Sequence, residues 1–418
     1  MTAIVGFMNK HGVAMAADSA VTLGNTHKVI NSGNKIFTLS KYAPVGIATY
    51  GNASFMETPW ELIIKLYRKN LKKQKLNSLQ DYVDSFIHYL HSNNFFITED
   101  LQKQLLLHRA ISFYSICVED SKKYDGYSER NAVSFLKKSL ETCQELNKKD
   151  SANIFTEMDN YDYSKFIVYF SDIFQENLDS FPLLSLAESQ QVFLTSFYQY
   201  LRILISYNSD TGLVFFGYGE DEIYPSIINV IVADSFDGCL RYKSIVGNSG
   251  QISVNGHTAY VIPFAQIDVS QTIIRGINPA FYDVMAHAFE GVLDAYRNVL
   301  LSLIPESNSD VIANIKSINH TDFSQSFISS ASDEFKQNYT DALLQTIALL
   351  SKEDMAVMAE SFVSLTSLVR RMTPMEETVG GPIDVAVVSK GDGFIWLKRK
   401  HYFDPELNMN FTNNYYDE

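Results

Sequence analysis

The first fifty residues constrain the fold most strongly, because short apolar segments alternate there with turn residues. Apolar runs at residues 2–8 and 13–17 are separated by the polar segment 9–12, which ends in glycine. Two further runs, at 36–39 and 45–51, follow a polar stretch. Runs of this length between Gly, Asn and Asp residues are typical of β-strands, and the first two predict a hairpin. The later elements must therefore pack around a small sheet.

Thr2 is the residue of this sheet with the clearest chemical potential. It follows Met1 and has a small side chain, so we expect removal of the initiator methionine to expose it. A threonine at a free N-terminus carries a hydroxyl nucleophile and an amine base in one residue. That amine titrates at roughly 7.7–8.0, so near neutral pH it can accept the hydroxyl proton. If Met1 stays attached, the Thr2 nitrogen is an amide and cannot act as a base.

The N-terminal segment resembles a known family of hydrolases. Thr2 at the start of a strand, Gly12–Ser19, Asn34–Ile36 and Ala48–Gly51 occur in the order found in the catalytic β subunits of the proteasome. Those subunits are N-terminal-nucleophile (Ntn) hydrolases. The resemblance is continuous over residues 2–66 and returns weakly at residues 211–238 and 380–397. It implies a threonine-type peptidase or amidase that acts on peptide or other amide substrates.

The resemblance assigns a role to individual residues. Thr2 would be the nucleophile, with its own α-amine as the base. Asp18 and Lys35 would form a supporting charge pair, because a nearby lysine disfavours the protonated form of the amine. Gly51 would donate its backbone N–H to the oxyanion, and Ser19 would be a further supporting residue. Lys35 lies one residue further from Asp18 than is usual in the family, which we interpret as a difference in loop length.

Two supporting segments differ from the family pattern. Catalytic relatives carry Asp-X-X-Ser-Gly-Gly before a late strand, whereas this chain has Glu376 at the acidic position and Val379 in place of the serine. Thr378 could supply the missing hydroxyl only through a slip of one residue. The family's other supporting serine has no clear match, and the nearest candidates are Asp268 and Ser270. These differences affect the residues that would support the Thr2 amine more than Thr2 itself.

Two other functions remain open at this stage. Each proposed catalytic residue also has an ordinary structural explanation when taken singly, so the chain could be a catalytically inactive proteasome-like scaffold or binding protein that retains Met1. The second alternative is a metal-dependent hydrolase, since Asp283, His287 and Glu290 share one face of a predicted helix. No second cluster accompanies these three residues, and an exposed polar face is the simpler explanation for them.

Composition limits the partners and the compartment. The chain has 418 residues, 46% of them apolar, and a formal net charge of −14. This acidity argues against nucleic acid or an anionic membrane as the main partner. No apolar run approaches the ~18 residues of a membrane span, and no signal peptide is evident. Cys117, Cys143 and Cys239 show no paired spacing, so we expect buried structural cysteines, no disulfide framework and a cytoplasmic protein without a cofactor.

The order of predicted elements indicates an α+β fold. Strands, helices, strands, helices and strands follow one another, as in the four-layer αββα sandwich that the resemblance implies. We expect a discontinuous core at residues 1–94 and 208–400, a helical insertion at 95–207 and a polar C-terminal tail at 401–418. Four helices are predicted in the insertion, near residues 99–119, 129–147, 163–175 and 187–206. The resemblance also predicts a homo-oligomer, with a ring as one form.

Overall fold

The computed structural model describes residues 2–23, 28–92, 97–204, 210–305, 308–373, 379–401 and 403–409. The fold is mixed α/β. The strands are β1 Ala3–Asn9, β2 Gly12–Ala17, β3 Val21–Leu23, β4 Lys28–Ile30, β5 Ile36–Thr38, β6 Val45–Gly51, β7 Ser54–Phe55, β8 Thr58–Pro59, β9 Thr211–Gly217, β10 Ser226–Phe236, β11 Cys239–Ser244, β12 Gly250–Gln251, β13 Ala259–Ala265, β14 Asp384–Ser389 and β15 Gly393–Lys398. The α-helices are α1 Trp60–Leu71, α2 Leu79–Ser92, α3 Glu99–Ser121, α4 Ala132–Lys149, α5 Tyr163–Glu176, α6 Ala187–Arg202, α7 Asp268–Arg275, α8 Pro279–Leu303, α9 Ser309–Lys316, α10 His320–Phe335, α11 Asp341–Ile347 and α12 Lys352–Met372.

The chain divides into two compact units. The first comprises residues 1–33, 251–389 and 395–418, and the second comprises residues 34–250 and 390–394. Each unit is built on its own sheet. The sheet of the first unit has the strand order β13-β1-β2-β14-β15, and that of the second has the order β11-β10-β9-β6-β5, with β12 beside β10.

The predicted N-terminal hairpin is confirmed. Strands β1 and β2 pair in antiparallel register from Ile4 opposite Ala17 to Asn9 opposite Gly12, and β1 also pairs with β13. Every residue of β1 and β2 is buried, which explains why both strands are apolar except for Asn9 at the end of β1. The buried amide of Asn9 donates to the carbonyl oxygens of Ile347 (2.8 Å) and Leu350 (3.0 Å), so the turn is fastened to the end of α11.

Helix α12 covers one face of the first sheet. Alternate residues of β1, namely Ala3, Val5 and Phe7, belong to one apolar cluster with Phe362 and Val363 of that helix. The rings of Phe7 and Phe362 meet edge to face at 5.2 Å. Every second residue of a strand faces one side of the sheet, and every third or fourth residue of a helix faces the same side of that helix. The apolar residues at these spacings pack against each other and form one core.

In the second unit, helices α1 and α2 cover one face of the sheet. They follow β8, and their buried apolar residues form one cluster with strands β5, β6, β9 and β10. Phe86 lies at its centre, with ring centroids 4.9 Å from Tyr67, 5.6 Å from Phe215 and 6.4 Å from Trp60. Pro59 directly precedes α1, where its fixed backbone angle suits the start of a helix.

The four helices predicted between residues 95 and 207 are confirmed as α3–α6. They have an aromatic core in which Phe170, Phe193 and Phe197 are fully buried. The rings of Phe193 and Phe197 stack at 5.8 Å, and Phe113 approaches both. The domain boundaries at 94/95 and 207/208 lie outside the described residues, so the division into core and insertion stays a prediction.

Helix α8 is much less buried than α12. It begins at Pro279 and contains the predicted helical face of Asp283, His287 and Glu290, but none of its described side chains is buried, and Val292 and Leu303 are largely exposed. It packs instead on α10, where Phe289 stacks on Phe327 at 4.5 Å. No helix in the described part of the chain combines the length and apolar character needed to cross a membrane.

We expect Phe86→Ala to lower the free energy of unfolding by about 3–5 kcal/mol, because it removes a buried ring from the centre of the second unit. Leu62→Ala on α1 is the matched control, since Leu62 is 48% exposed and its loss should cost less than about 1 kcal/mol. Urea unfolding followed by circular dichroism measures both. Equal midpoints for the two variants would contradict this packing.

Candidate functional site

Thr2 directly precedes β1 and is held in place through its backbone. Its side chain is buried, and its carbonyl oxygen accepts the N–H of Gln266 at 3.1 Å. Ala265, which precedes Gln266 at the end of β13, has a φ of +65°, a left-handed conformation that non-glycine residues rarely adopt. Such strain persists where the surrounding structure imposes it, and it is common at functional sites. Here it turns the chain so that Gln266 meets Thr2.

Asp18 is the polar centre of this region. Its side chain is buried, and one carboxylate oxygen accepts the N–H of Ala3 at 2.9 Å. The other oxygen accepts the N–H groups of Ala20 and Gly380, both at 3.1 Å. A buried carboxylate is costly unless it is hydrogen-bonded, and three backbone donors meet that need. Asp18 thereby fixes the residue next to Thr2.

Ser19 extends the same network toward the late strand. Its N–H donates to the carbonyl oxygen of Gly380 at 3.0 Å, and its hydroxyl donates to the carbonyl oxygen of Pro382. Its own carbonyl oxygen accepts the N–H of Gly33 at 3.0 Å. Asp18 and Ser19 therefore hold the segment that leads into β14 against the end of β2.

Val379 lies in the apolar core of the first unit. It is 1% exposed and packs in the cluster that contains Phe362 and Val363. A valine at the position of the family's serine therefore serves packing rather than hydrogen bonding. Glu376 and Thr378, the other two candidates in this segment, lie outside the described residues.

Asp268 and Ser270 lie at the start of α7, two and four residues after Gln266. The carboxylate of Asp268 forms an ion pair with Arg370 of α12, and Arg370 also donates to the side-chain oxygen of Gln266. Ser270 is fully buried, and its hydroxyl has no hydrogen-bond partner among the described residues. A buried hydroxyl without a partner is costly, so a polar group presented to it would be favoured.

Lys35 and Gly51 belong to the second unit. Lys35 is 4% exposed and directly precedes β5, and its carbonyl oxygen accepts the N–H of Thr49 at 2.8 Å. A lysine beside a strand is usually a solvated edge charge, but burial excludes that explanation for Lys35. Gly51 ends β6 with a φ of +84°, and a Cβ atom there would lie 2.1 Å from the carbonyl oxygen of Asp210. Both the backbone angle and the close approach require glycine.

A buried ion cluster adjoins Gly51 through Asp210. Arg109 of α3 donates to the carboxylates of Asp210 (3.2 Å) and Asp234, and Arg241 donates to Asp234 at 2.6 and 2.9 Å. Burial alone would raise the pKa of Asp234, but the charges of Arg109 and Arg241 outweigh it and hold that pKa well below its usual range. Burial raises the pKa of Asp210 despite Arg109. The sequence analysis missed this cluster, because its members are widely separated along the chain.

The residues of the metal hypothesis do not form a ligand set. His287 hydrogen-bonds through Nδ1 to the backbone carbonyl oxygen of Asp283 at 2.7 Å, on an exposed part of α8. Among the residues that the structure describes, no group of three His, Cys, Asp or Glu side chains is placed to hold a metal ion.

Solved structures to which this chain is similar include several Anbu (ancestral beta-subunit) proteins. Anbu from Yersinia bercovieri is 7% identical with a TM-score of 0.28, over 99% of this chain and 95% of that one. The Anbu complex from Pseudomonas aeruginosa, solved as a helical assembly, is 9% identical with a TM-score of 0.30, over 100% and 95%. Anbu from Hyphomicrobium sp. strain MC1 is 9% identical with a TM-score of 0.27, over 100% and 94%. These values describe a weak similarity, and neither a family model nor a curated protein matches the chain.

We expect Asp18→Ala to lower the free energy of unfolding by at least about 3 kcal/mol, because it leaves three buried backbone N–H groups unpaired. Ser19→Ala is the matched neighbour and removes a single hydroxyl donor, so it should cost about 1 kcal/mol. Chemical denaturation at neutral pH compares the two. A cost for Asp18→Ala no larger than that for Ser19→Ala would show that the carboxylate does not hold this region together.

We expect Arg109→Met to cost about 3 kcal/mol of stability at neutral pH, because two buried carboxylates lose a shared cation. Lys103→Met on the same helix removes an exposed partner of Glu99 and should cost less than about 1 kcal/mol. Because the pKa of Asp234 is depressed in the folded state, its stabilisation is present above the ordinary carboxyl pKa and is lost as the pH falls below it. The difference between Arg109→Met and wild type should therefore shrink below about pH 4. A difference that stays constant would exclude the ion cluster as its cause.

Proposed function

We propose that the chain is a proteasome-like N-terminal-threonine hydrolase that cleaves amide bonds, with peptides as its substrates. The observation that carries the proposal is the hydrogen bonding around Thr2. The N–H of Ala3 is bound by Asp18, and the carbonyl oxygen of Thr2 is bound by Gln266. Both hydrogen bonds involve the peptide group that joins Thr2 to Ala3, so the backbone on the C-terminal side of the reacting residue is fixed, and such fixed geometry favours reaction of a positioned nucleophile.

The chemistry needs only groups of the chain itself. Once Met1 is removed, the amine of Thr2 takes the hydroxyl proton while the oxygen attacks the substrate carbonyl. The resemblance assigns Lys35 to keep that amine unprotonated, and Gly51 to donate its N–H to the oxyanion. A positioned donor of this kind is worth roughly 3 kcal/mol of barrier. The amine then protonates the leaving group, and water releases the acyl ester with the same amine as the base.

The support for Thr2 differs from that in the family. Val379 has no hydroxyl, so we assign the supporting polar role to the network of Asp18 and Ser19. Ser270 is the second candidate, since its buried hydroxyl has no partner among the described residues. Glu376, Thr378 and Asp268 keep the supporting roles that the sequence suggests for them.

The proposed architecture is the four-layer αββα sandwich, with the helical insertion as an addition to it. Each unit contains a sheet with a helical cover on one face, as this arrangement requires. We also propose that the protein acts in the cytoplasm as a homo-oligomer, a ring being one form.

The competing function is an inactive scaffold or binding protein of the same fold that retains Met1. The position of Val379 in the apolar core favours this alternative, because the family's serine hydroxyl is replaced there by packing. Intact mass of the purified protein separates the two proposals at the first step, since the hydrolase requires a free Thr2.

We expect a peptide β-lactone to acylate Thr2 in the purified protein, with the adduct mapped by peptide mass spectrometry. Thr2→Ala should lose the label, whereas Thr2→Ser should keep it because a terminal serine also carries a hydroxyl beside an amine. Both replacements have small side chains like threonine. In Lys35→Met, labelling should slow by about a hundredfold or more, as expected when a general base is impaired. A folded protein with a free Thr2 that takes up no label would overturn the proposal.

A further inference from the structure

Strand β6 directs the N–H of Gly51 away from its neighbour β9. The two strands pair in antiparallel register, with Gly51 opposite Thr211. The N–H of the next residue, Asn52, donates to the carbonyl oxygen of Asp210 at 3.4 Å. In an antiparallel pair only every second residue directs its N–H to the same neighbour. Because Asn52 faces the chain that leads into β9, the N–H of Gly51 faces the opposite side.

On that opposite side, β5 does not extend as far as Gly51. The register between β5 and β6 ends at Ile36 opposite Ala48, and the N–H of Thr49 still donates to the carbonyl oxygen of Lys35 at 2.8 Å. Gly51 lies two residues further along β6 and is exposed. Its N–H is therefore directed past the end of this strand pairing, where the carbonyl oxygen of a bound molecule could accept it.

Two residues at the start of β9 hold the peptide groups that follow Gly51. The carbonyl oxygen of Asp210 accepts the N–H of Asn52, and the hydroxyl of Thr211 donates to the carbonyl oxygen of Asn52 at 2.9 Å. The same hydroxyl accepts the indole N–H of Trp60 at 2.8 Å. Thr211 and Trp60 are both buried. Since the indole can only donate, it fixes the direction in which the hydroxyl of Thr211 donates.

These contacts are anchored at both ends. Trp60 donates its backbone N–H to the carbonyl oxygen of Ala53 at 3.1 Å, and its ring stacks on Phe86 in the core of the second unit. The carboxylate of Asp210 accepts a hydrogen bond from Arg109 of α3 at 3.2 Å. A packed ring and a buried cation thus restrain the residues that hold the turn after Gly51.

We propose that Thr211, oriented by Trp60, is a positioning residue that aims the N–H of Gly51 at the negative oxygen formed when a substrate carbonyl is attacked. This inference rests on the proposed function, in which Gly51 is the oxyanion donor. A donor that is aimed in advance stabilises that charge without reorganisation during the reaction. Thr211 acts on the rate only through Gly51, because its own hydroxyl is occupied by Asn52 and Trp60.

The experiment uses three probes that carry the same peptide, namely a β-lactone, a boronate and an unreactive amide. The lactone measures the rate of acylation. With the boronate, the Thr2 oxygen adds to boron and its proton moves to the amine, so the boron carries the negative charge and the adduct imitates the charged intermediate. The amide forms no bond with the protein and measures peptide binding alone. A residue that supports the transition state affects the first two probes and not the third.

We expect Thr211→Val, which keeps the shape of the side chain, to slow acylation about tenfold, less than the roughly hundredfold loss that follows removal of a whole oxyanion donor. The affinity for the boronate should fall by the same factor, and the Kd of the amide should stay unchanged. Thr211→Ser retains the hydroxyl and should restore the wild-type values. Thr38→Val is the matched control, since Thr38 is a buried threonine of β5 opposite Gly46 and remote from Gly51 along β6.

Trp60→Phe tests the same contact from its other end. It keeps a ring against Phe86 but removes the indole N–H that orients Thr211, so it should lower the acylation rate and the boronate affinity without changing the Kd of the amide. Circular dichroism checks that each variant is folded. A reactive wild type with Thr211→Val equally reactive, or a weakening of all three probes together, would overturn this inference alone. A wild-type protein with a free Thr2 that does not react with the lactone would overturn the proposed function and this inference with it.

Discussion

The buried carboxylate of Asp18 is the interaction on which the first unit depends. Its two oxygens bind backbone N–H groups from the start of β1, the turn between β2 and β3 and the segment before β14. Three parts of the chain that are distant in sequence therefore share one charge. Because each N–H would be costly to bury unpaired, the carboxylate fixes the path of all three. The position of Thr2 follows from this arrangement.

The rest of the Thr2 region is built outward from that charge. Ser19 holds the segment before β14 through two further hydrogen bonds, and the backbone N–H of Gln266 donates to the carbonyl oxygen of Thr2. Arg370 joins Gln266 to Asp268 and so connects α7 with α12. Helix α12 in turn covers the sheet that contains β1. Packing and polar contacts thus agree on one position for the N-terminal strand, and the proposed role of Thr2 as a nucleophile requires such a fixed position.

The sequence predicted the secondary structure well and the tertiary polar contacts poorly, for physical reasons. The hairpin of β1 and β2 and the helices α3–α6 follow from local apolar periodicity and turn residues, which act over a few residues. The sequence singled out Asp18 as a partner of Lys35, and that role stays a prediction; its burial and its backbone partners were not foreseen. Gly380 lies 362 residues away, and no local pattern shows which N–H groups will meet a carboxylate. Helix α8 shows the same limit for apolar residues. Periodicity predicts that this segment is helical, but it does not predict which surface its apolar residues contact.

The ion cluster of Arg109 links the helical segment to residues that follow it in the chain. Arg109 lies in the 95–207 segment, whereas Asp210 directly precedes β9 and Asp234 lies on β10, both beyond that segment. Removing that segment would take the Arg109 counterion from Asp210. Asp234 would lose Arg109 as well and would keep only Arg241. The helices of this segment therefore contribute to the stability of the sheet that follows them. A shorter ancestor or an engineered truncation would need compensating substitutions at Asp210 and Asp234 for that sheet to form.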